Sequence, residues 1–309
     1  MTRSRGTRAS LIVLNYEGRE VIHSCLRSLQ AAAADDDEII VVDNASTAES
    51  RKLLEEIPRI RIVDLPTNTM IFGLNHGLAV AQGRYVAFLN NDITVPPDFV
   101  ERCIERFADG DDVFGVCPRI LDLSGADQGS RTAGYWSRGL LFYRVLPHAN
   151  EPTDCFFAVG GQSFFRSDML KEIGSIDTLL YPMYHEDVEL SYRAWKRGWR
   201  IRYAPDAVVH HLGSHSSRKT FTPSQLRSFV RQNEYLTVWK DITDTSLLVE
   251  HCVLIIPRLL AALMKRDWPT LVGFARAFRR LPRALAARRR ARAHMRLSDR
   301  EVLAAVADP

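Results

Sequence analysis

A three-layer α/β fold with a helical extension is what this sequence predicts. Three observations predict it. Short apolar runs alternate with amphipathic segments to about residue 120, as strands and helices do in a mostly parallel sheet. Three of those runs end in Asn or Asp. After about Phe221 the strand pattern stops and the chain reads as helix.

The first strand is Ser10 to Tyr16, ending at Asn15-Tyr16. Glu17 to Ala34 follows as an amphipathic helix, with Val21, Ile22, Cys25, Leu26 and Leu29 on one face. Asp35-Asp36-Asp37 is a solvated turn. Glu38 to Val42 reads as a buried parallel strand whose carboxyl end delivers Asp43 and Asn44. Arg61 to Leu65 and Val113 to Cys117 are further strands, and Tyr85 to Leu89 runs into Asn90-Asn91-Asp92. Ligands bind beyond the carboxyl ends of strands in open α/β sheets. Three such ends bearing Asx residues predict one polar site fed by several loops.

Residues 124–153 carry no clear period and read as a lid or binding loop. Trp136, Phe142 and Tyr143 either line an acceptor site or anchor this loop by packing. Gly160-Gly161, ahead of Gln162-Ser163, permits close backbone approach or marks a bulge. Glu186 and Asp187 open a helix that stops at Lys196-Arg197-Gly198. Adjacent carboxylates repel, which raises a pKa toward the useful range of a general base. Arg193 is placed to pair with an acidic group or a diphosphate. The strand Ala207-Val208-Val209 delivers His210 and His211; His215 stands four residues on from His211.

Composition bounds the class. The chain has 309 residues, 46% hydrophobic, and a formal charge of +4, enough for one large or two modest domains. Five cysteines without a CxxC pair argue against a zinc ribbon or disulfide framework and for a reducing compartment. The basic start meets an apolar run too short for a signal peptide, so a cytoplasmic protein is expected. Leu247 to Met264 is strongly apolar but interrupted by Glu250, His251, Pro257 and Arg258. That disfavours a spanning helix. Arg276 to Arg300 interleaves arginines with Phe278, Leu281 and Leu285. This suits an amphipathic helix on an anionic membrane; no nucleic-acid module accompanies it. Ser298-x-x-Glu301 is a capping box. The expected division is 1–222 and 223–309.

The ordered set of motifs resembles the inverting family 2 glycosyltransferases, most closely their rhamnosyltransferase-like branch. It comprises Asn15-Tyr16, Asp43-Asn44-Ala45-Ser46, Asn75-x-Gly77, Ala81-x-Gly83, Asn90-x-Asp92, Gly160-Gly161, Gly174-x-x-Asp177, Glu186-Asp187 and His210-His211, spread over about residues 8–216. The resemblance implies the GT-A fold. It implies a divalent metal, Mg²⁺ or Mn²⁺, at Asp92 with His211 or His210, and Asp187 as base with Glu186 beside it. It further implies nucleotide contacts from Asn15, Asp43, Asn44, Asn75 and Asn91, and sugar or acceptor contacts from Gly160, Gly161, Gln162 and Arg193. A carboxylate at Asp43 suits the imide N–H of uracil or thymine. The donor is therefore expected to be a UDP- or dTDP-sugar, dTDP-L-rhamnose by resemblance, and the acceptor a cell-surface or polyprenyl-linked glycan at the inner face of the membrane. Three departures stand out. Asn90 replaces an expected Asp, Glu189 replaces another, and the stretch Thr69 to Gly73 is one residue short. The alternatives are a nucleotidylyltransferase, disfavoured by the lack of a Gly-rich basic loop at residues 14–20, and a non-catalytic nucleotide-binding scaffold, which Asn90 favours.

Overall fold

The computed structural model describes residues 6–213 and 220–307. His215 lies outside them.

The chain opens with β1 (Ala9–Asn15), α1 (Ile22–Ala32), β2 (Glu38–Asp43), α2 (Ala48–Glu55), β3 (Arg61–Asp64), α3 (Leu74–Val80) and β4 (Tyr85–Asn90). Next come β5 (Ile93–Thr94), α4 (Phe99–Glu105), β6 (Val113–Leu121), β7 (Thr132–Ser137), β8 (Leu140–Val145), β9 (Thr153–Asp154) and β10 (Gln162–Arg166). Then follow α5 (Ser167–Ile173), α6 (Glu186–Lys196) and the long β11 (Arg200–His211). Four helices close the described chain: α7 (Pro223–Asp241), α8 (Thr245–Met264), α9 (Trp268–Arg292) and α10 (Asp299–Ala305).

The main sheet has the order β3-β2-β1-β4-β10-β6-β11-β5. Strands β1 to β4 are mutually parallel where they pair, and β10 runs antiparallel to both β4 and β6. The register brings Asn15 opposite Asp43 and Leu14 opposite Asn90, so the Asx-bearing ends lie side by side. Alternation puts Ile12 on one core and Leu11 and Val13 on the other. One core packs beneath α1, Leu54 of α2 and α4; the other takes α3, α5, α6 and the C-terminal helices. Gly77 lets α3 approach the sheet, since a Cβ there would fall 2.4 Å from Cγ2 of Ile12.

Two expectations are corrected. Helix α1 begins at Ile22, because Gly18 to Val21 form a turn whose carbonyl at Gly18 caps Val21 and Ile22. Residues 124–153 are no structureless lid, since β7 and β8 form a hairpin across them. Trp136 and Phe142 are packing residues against the core. Tyr143 lies edge-on to Phe157, ring centroids 4.8 Å apart.

The C-terminal helices are not an independent lobe. Tyr235, Leu236, Val238, Ala277, Ala284 and Val302 share one core with Phe156, Tyr192 and Trp195. Helix α8 turns its polar residues inward. Glu250 accepts from Nε1 of Trp136 and the amide of Gly139, and buried His251 sits between Nε1 of Trp239 and the Gly139 carbonyl. Its outward face is apolar. Val249, Val253, Ile256, Leu260 and Leu263 are each more than half exposed, at alternating spacings of four and three. By length and composition alone this helix is long and apolar enough to cross a membrane.

Candidate active site

The ends of β1, β2 and β4, the loop before α6 and the end of β11 border one cavity of about 390 Å³. Its walls include Tyr16, Asn44, Asn68, Met70, Asn91, Asp92, Gly160, Tyr184, Glu186, Asp187 and His211.

Polar groups on one wall are tied to each other. Asn91 Nδ2 donates to Asn15 Oδ1 at 2.8 Å, and Asn15 Nδ2 donates to Asp43 Oδ1 at 3.2 Å. Asp43 Oδ2 takes the amide of Ser46. Asp43 thus stands behind the lining, as a brace for Asn15. Asn44 spends its whole amide on the next loop. Its Oδ1 accepts from the Thr69 amide at 2.8 Å, and its Nδ2 donates to Asn68 Oδ1 and the Met70 carbonyl, both at 3.0 Å. The shortened stretch is therefore anchored, as a 3-10 turn over Met70–Gly73.

At the adjoining edge, His211 Nε2 lies 3.4 Å from Asp92 Oδ1. His211 Nδ1 meets Gln128 Oε1 at 3.0 Å. An amide oxygen only accepts, so Nδ1 donates to it, and the tautomer whose one proton is on Nδ1 leaves a lone pair on Nε2. That tautomer fits a metal ligand whose other nitrogen is fixed from behind. His210 does not border the cavity; neighbours in a strand point to opposite faces. Of the two histidines the geometry selects His211. Among the described residues no three His, Cys, Asp or Glu converge on a metal position. A bound ion would take Asp92 and His211 and complete its shell with phosphate oxygens and water.

The opposite wall carries the carboxylates. Asp187 Oδ2 accepts from the Gly160 amide at 3.1 Å and Oδ1 from the Val188 amide at 2.8 Å. Gly161 has φ +81°, and a Cβ there would fall 2.2 Å from Asn90 Oδ1. The glycine pair thus seats Asn90 and offers an N–H to Asp187. Glu186 Oε2 is buried without a partner. Burial first, and the charge of Asp187 second, push Glu186 up to about 8. Burial raises Asp187 as well, against the two amides that hold its ionised form. Tyr184 and His185 precede these acids with φ of 69° and 70°, costing on the order of 1–3 kcal/mol each. Asn233 on α7 holds this shape, its Nδ2 donating to the carbonyls of Leu180, Met183 and Tyr184.

A raised carboxyl destabilises the fold when ionised. Stability from the neutral form of Glu186 is complete below the ordinary carboxylate pKa and is lost as pH rises through about 8. Glu186→Gln is therefore expected to raise the melting temperature at pH 8.5 and to change it little at pH 5. An equal shift at both pH values would contradict the burial of this charge.

Besides Asn15, Asp43, Gly161 and His210, which do not line the cavity, three expected site residues lie elsewhere. Arg193 is buried, with Nε 2.6 Å from Glu189 Oε1, and it also donates to the carbonyls of Ile173 and Ser175. Asn75 clasps the Ile176 backbone through both ends of its amide. Both border a separate cavity of about 440 Å³ against α9. Gln162 is buried in β10 opposite Leu89. Conversely, Gln128 and Asn233 went unnoticed. Burial first, then the charges of Asp187 and Glu234, raise the pKa of the Tyr143 phenol. The partners of Gln128 and Asn233 are 83 and 49–53 residues away, beyond local patterns.

The family model for Glycosyl transferase family 2 matches residues 10–174, just over half of the chain. The chain belongs to that family. It is 32% identical over 141 residues to the pre-mycofactocin glycosyltransferase of Mycobacterium tuberculosis, across 44% of this chain and 28% of that protein. The chain spans about a third of the length of the curated relatives it matches. The fold is that of S. aureus TarS 1-349 in complex with UDP-GlcNAc, at TM-score 0.62 and 15% identity over 96% of this chain and 89% of that one. It is also that of GalNAc-T7 with UDP, GalNAc and Mn²⁺, at TM-score 0.62 and 16% identity over 77% and 48%. The architecture of this family 2 member is accordingly the GT-A fold, with a helical C-terminal region.

Proposed function

We propose that this family 2 protein is an inverting glycosyltransferase, moving a sugar from a UDP- or dTDP-sugar to a hydroxyl of a glycan acceptor. The observation that carries the reading is the sharing of one cavity by Asp92 with His211 and by Glu186 with Asp187. The first pair suits a diphosphate with its divalent ion, Mg²⁺ or Mn²⁺. The second suits an acceptor hydroxyl.

In the proposed reaction the acceptor oxygen attacks the anomeric carbon, and the bond from that carbon to the diphosphate oxygen breaks. Asp187 takes the hydroxyl proton, and the nucleoside diphosphate leaves with the bonding pair. A divalent ion at Asp92 and His211 would supply positive charge to the leaving diphosphate. The amides of Gly160 and Val188 fix the carboxylate of Asp187, so its direction of approach to the hydroxyl is set before substrate arrives. Asn91, braced from behind by Asn15, and the loop held by Asn44 form the nucleotide wall. A dTDP-L-rhamnose donor rests on the motif resemblance.

The acceptor is proposed to be a lipid-linked or cell-surface glycan at the inner face of the cell membrane. Support comes from the apolar outer face of α8, and from Trp268, Val272 and Phe278 on α9 beside exposed Arg279 and Arg283. Apolar and cationic groups on one face suit an anionic bilayer surface. Residues 223–309 would serve as the membrane-facing region.

The test is a thermal-shift panel of UDP, dTDP, GDP and ADP, each with and without Mn²⁺ or Mg²⁺. A ligand of the folded state raises its melting temperature by mass action. A shift confined to UDP or dTDP and enlarged by metal is expected. His211→Ala should keep the nucleotide shift and lose most of its metal-dependent part. No shift from any nucleotide would sink the reading.

A further inference from the structure

A second concavity, of about 420 Å³, adjoins the candidate site and shares Phe221 with it. One segment of chain joins the two. Tyr181 and Pro182 border the second, while Met183, Tyr184, Glu186 and Asp187 border the first. The far wall of the second belongs to α9, which contributes Arg276, Arg279 and Arg280.

Among the described residues, no carboxylate forms an ion pair with these three guanidiniums. The sequence holds no Asp or Glu from Trp268 to Ser298, and no carboxylate borders the concavity. Their partners among the described residues are neutral. Arg280 Nη1 donates to the carbonyls of Leu179 and Tyr181 at 2.8 and 2.6 Å. Arg276 lies over the Phe229 ring, 4.9 Å from its centroid, and donates to Ser228 Oγ at 3.2 Å. Burial, then the charges of Arg283 and Arg276, lower the pKa of Arg280. Such a cluster is relieved by an anion, and the planar fork of arginine matches phosphate oxygens two at a time.

Position narrows the anion further. A group seated on these arginines abuts the segment that leads to Asp187. The same helix also carries the exposed apolar side chains Trp268, Val272 and Phe278. A phosphate carrying a sugar at one end and a hydrocarbon chain at the other offers a group to the site, to the arginines and to the exposed apolar side chains.

We propose that the arginine cleft on α9 holds the diphosphate of a prenyl-linked acceptor while its sugar hydroxyl reaches Asp187. The inference rests on the glycosyltransferase reading and names the feature of the acceptor that the protein reads.

The test uses the full chain, saturated with UDP and Mn²⁺ so that the donor position is filled. Farnesyl diphosphate is titrated into wild type, Arg279→Ala and Arg276→Ala/Arg279→Ala. Arg279 is exposed, so its single variant keeps the fold, and a melting curve checks each protein. The double variant is expected to bind farnesyl diphosphate at least tenfold more weakly, with UDP affinity unchanged within twofold. Arg279→Lys should recover part of the loss. Equal affinity in wild type and double variant overturns the proposal, as does a wild type that binds UDP but not farnesyl diphosphate. Loss of binding only to vesicles of phosphatidylglycerol and phosphatidylcholine also overturns it, and assigns the arginines to bilayer headgroups. A chain that binds neither UDP nor dTDP overturns the parent reading, and this one with it.

Discussion

Asp187→Asn is expected to bind nucleotide within about threefold of wild type and to transfer sugar at least 10²-fold more slowly, the lower end of what a positioned general base contributes. The geometry makes this a demanding variant. Both oxygens of Asp187 accept backbone N–H groups, from Gly160 and Val188. An amide supplies one acceptor oxygen and one donor nitrogen, so one of those N–H groups must face another donor. A stability loss of about 1–2 kcal/mol follows, visible as a lowered melting temperature. Rate and binding must therefore be read on protein shown to be folded at the assay temperature. Transfer at wild-type rates by folded Asp187→Asn would remove the residue from the mechanism. Glu186, whose second oxygen is buried and unpartnered, would then be the next residue to test.

The second large effect concerns the fold. Asp299→Ala is expected to cost about 3–5 kcal/mol, as when one partner of a buried ion pair is removed. Asp299 Oδ1 accepts from Tyr192 at 2.5 Å and Lys196 Nζ at 2.8 Å, while Oδ2 takes the amides of Thr243 and Asp244, both at 2.6 Å. Neither side chain of the Lys196–Asp299 pair is exposed to solvent. Deletion strands a buried ammonium and two amides together. Hydrogen bonds from Lys196 and Tyr192 outweigh burial and hold the pKa of Asp299 low. Its stabilisation is thus present above the ordinary carboxylate pKa and fades as the solution is acidified below it. Urea melts at pH 7 and pH 3 measure this. A variant within 1 kcal/mol of wild type at pH 7 would show that the network is not the tie it appears on geometric grounds.

Much of this was legible in the sequence, and the failures have physical causes. The strands that deliver Asn15, Asp43 and Asp92 announce themselves because buried parallel strands are continuous apolar runs. The acids at 186 and 187 stand at a helix start, where local rules apply. The β7–β8 hairpin was missed because its turn hides its chemistry. Arg138 and Gly139 both have positive φ, 50° and 74°, which a two-residue hairpin of the primed type demands. Asn or Asp usually fills the first position and signals the turn; arginine does not. The position of Arg193 was half legible. Glu189 lies four residues before it, the spacing of a helical ion pair, and the structure keeps that pair away from the cavity. Choosing between His210 and His211 needed the register of β11 against β5, which no local pattern carries.

The grip of Asn233 on the carbonyls of Leu180, Met183 and Tyr184 reaches past the stiffening of one loop. A single amide on α7 works as a splint between the outer helices and the two acids. Exchanging this tail for one from a related enzyme, to redirect it to another surface, would need Asn233 to travel with its loop as a unit. A graft that ignores the pairing should keep its anchorage and lose its aim.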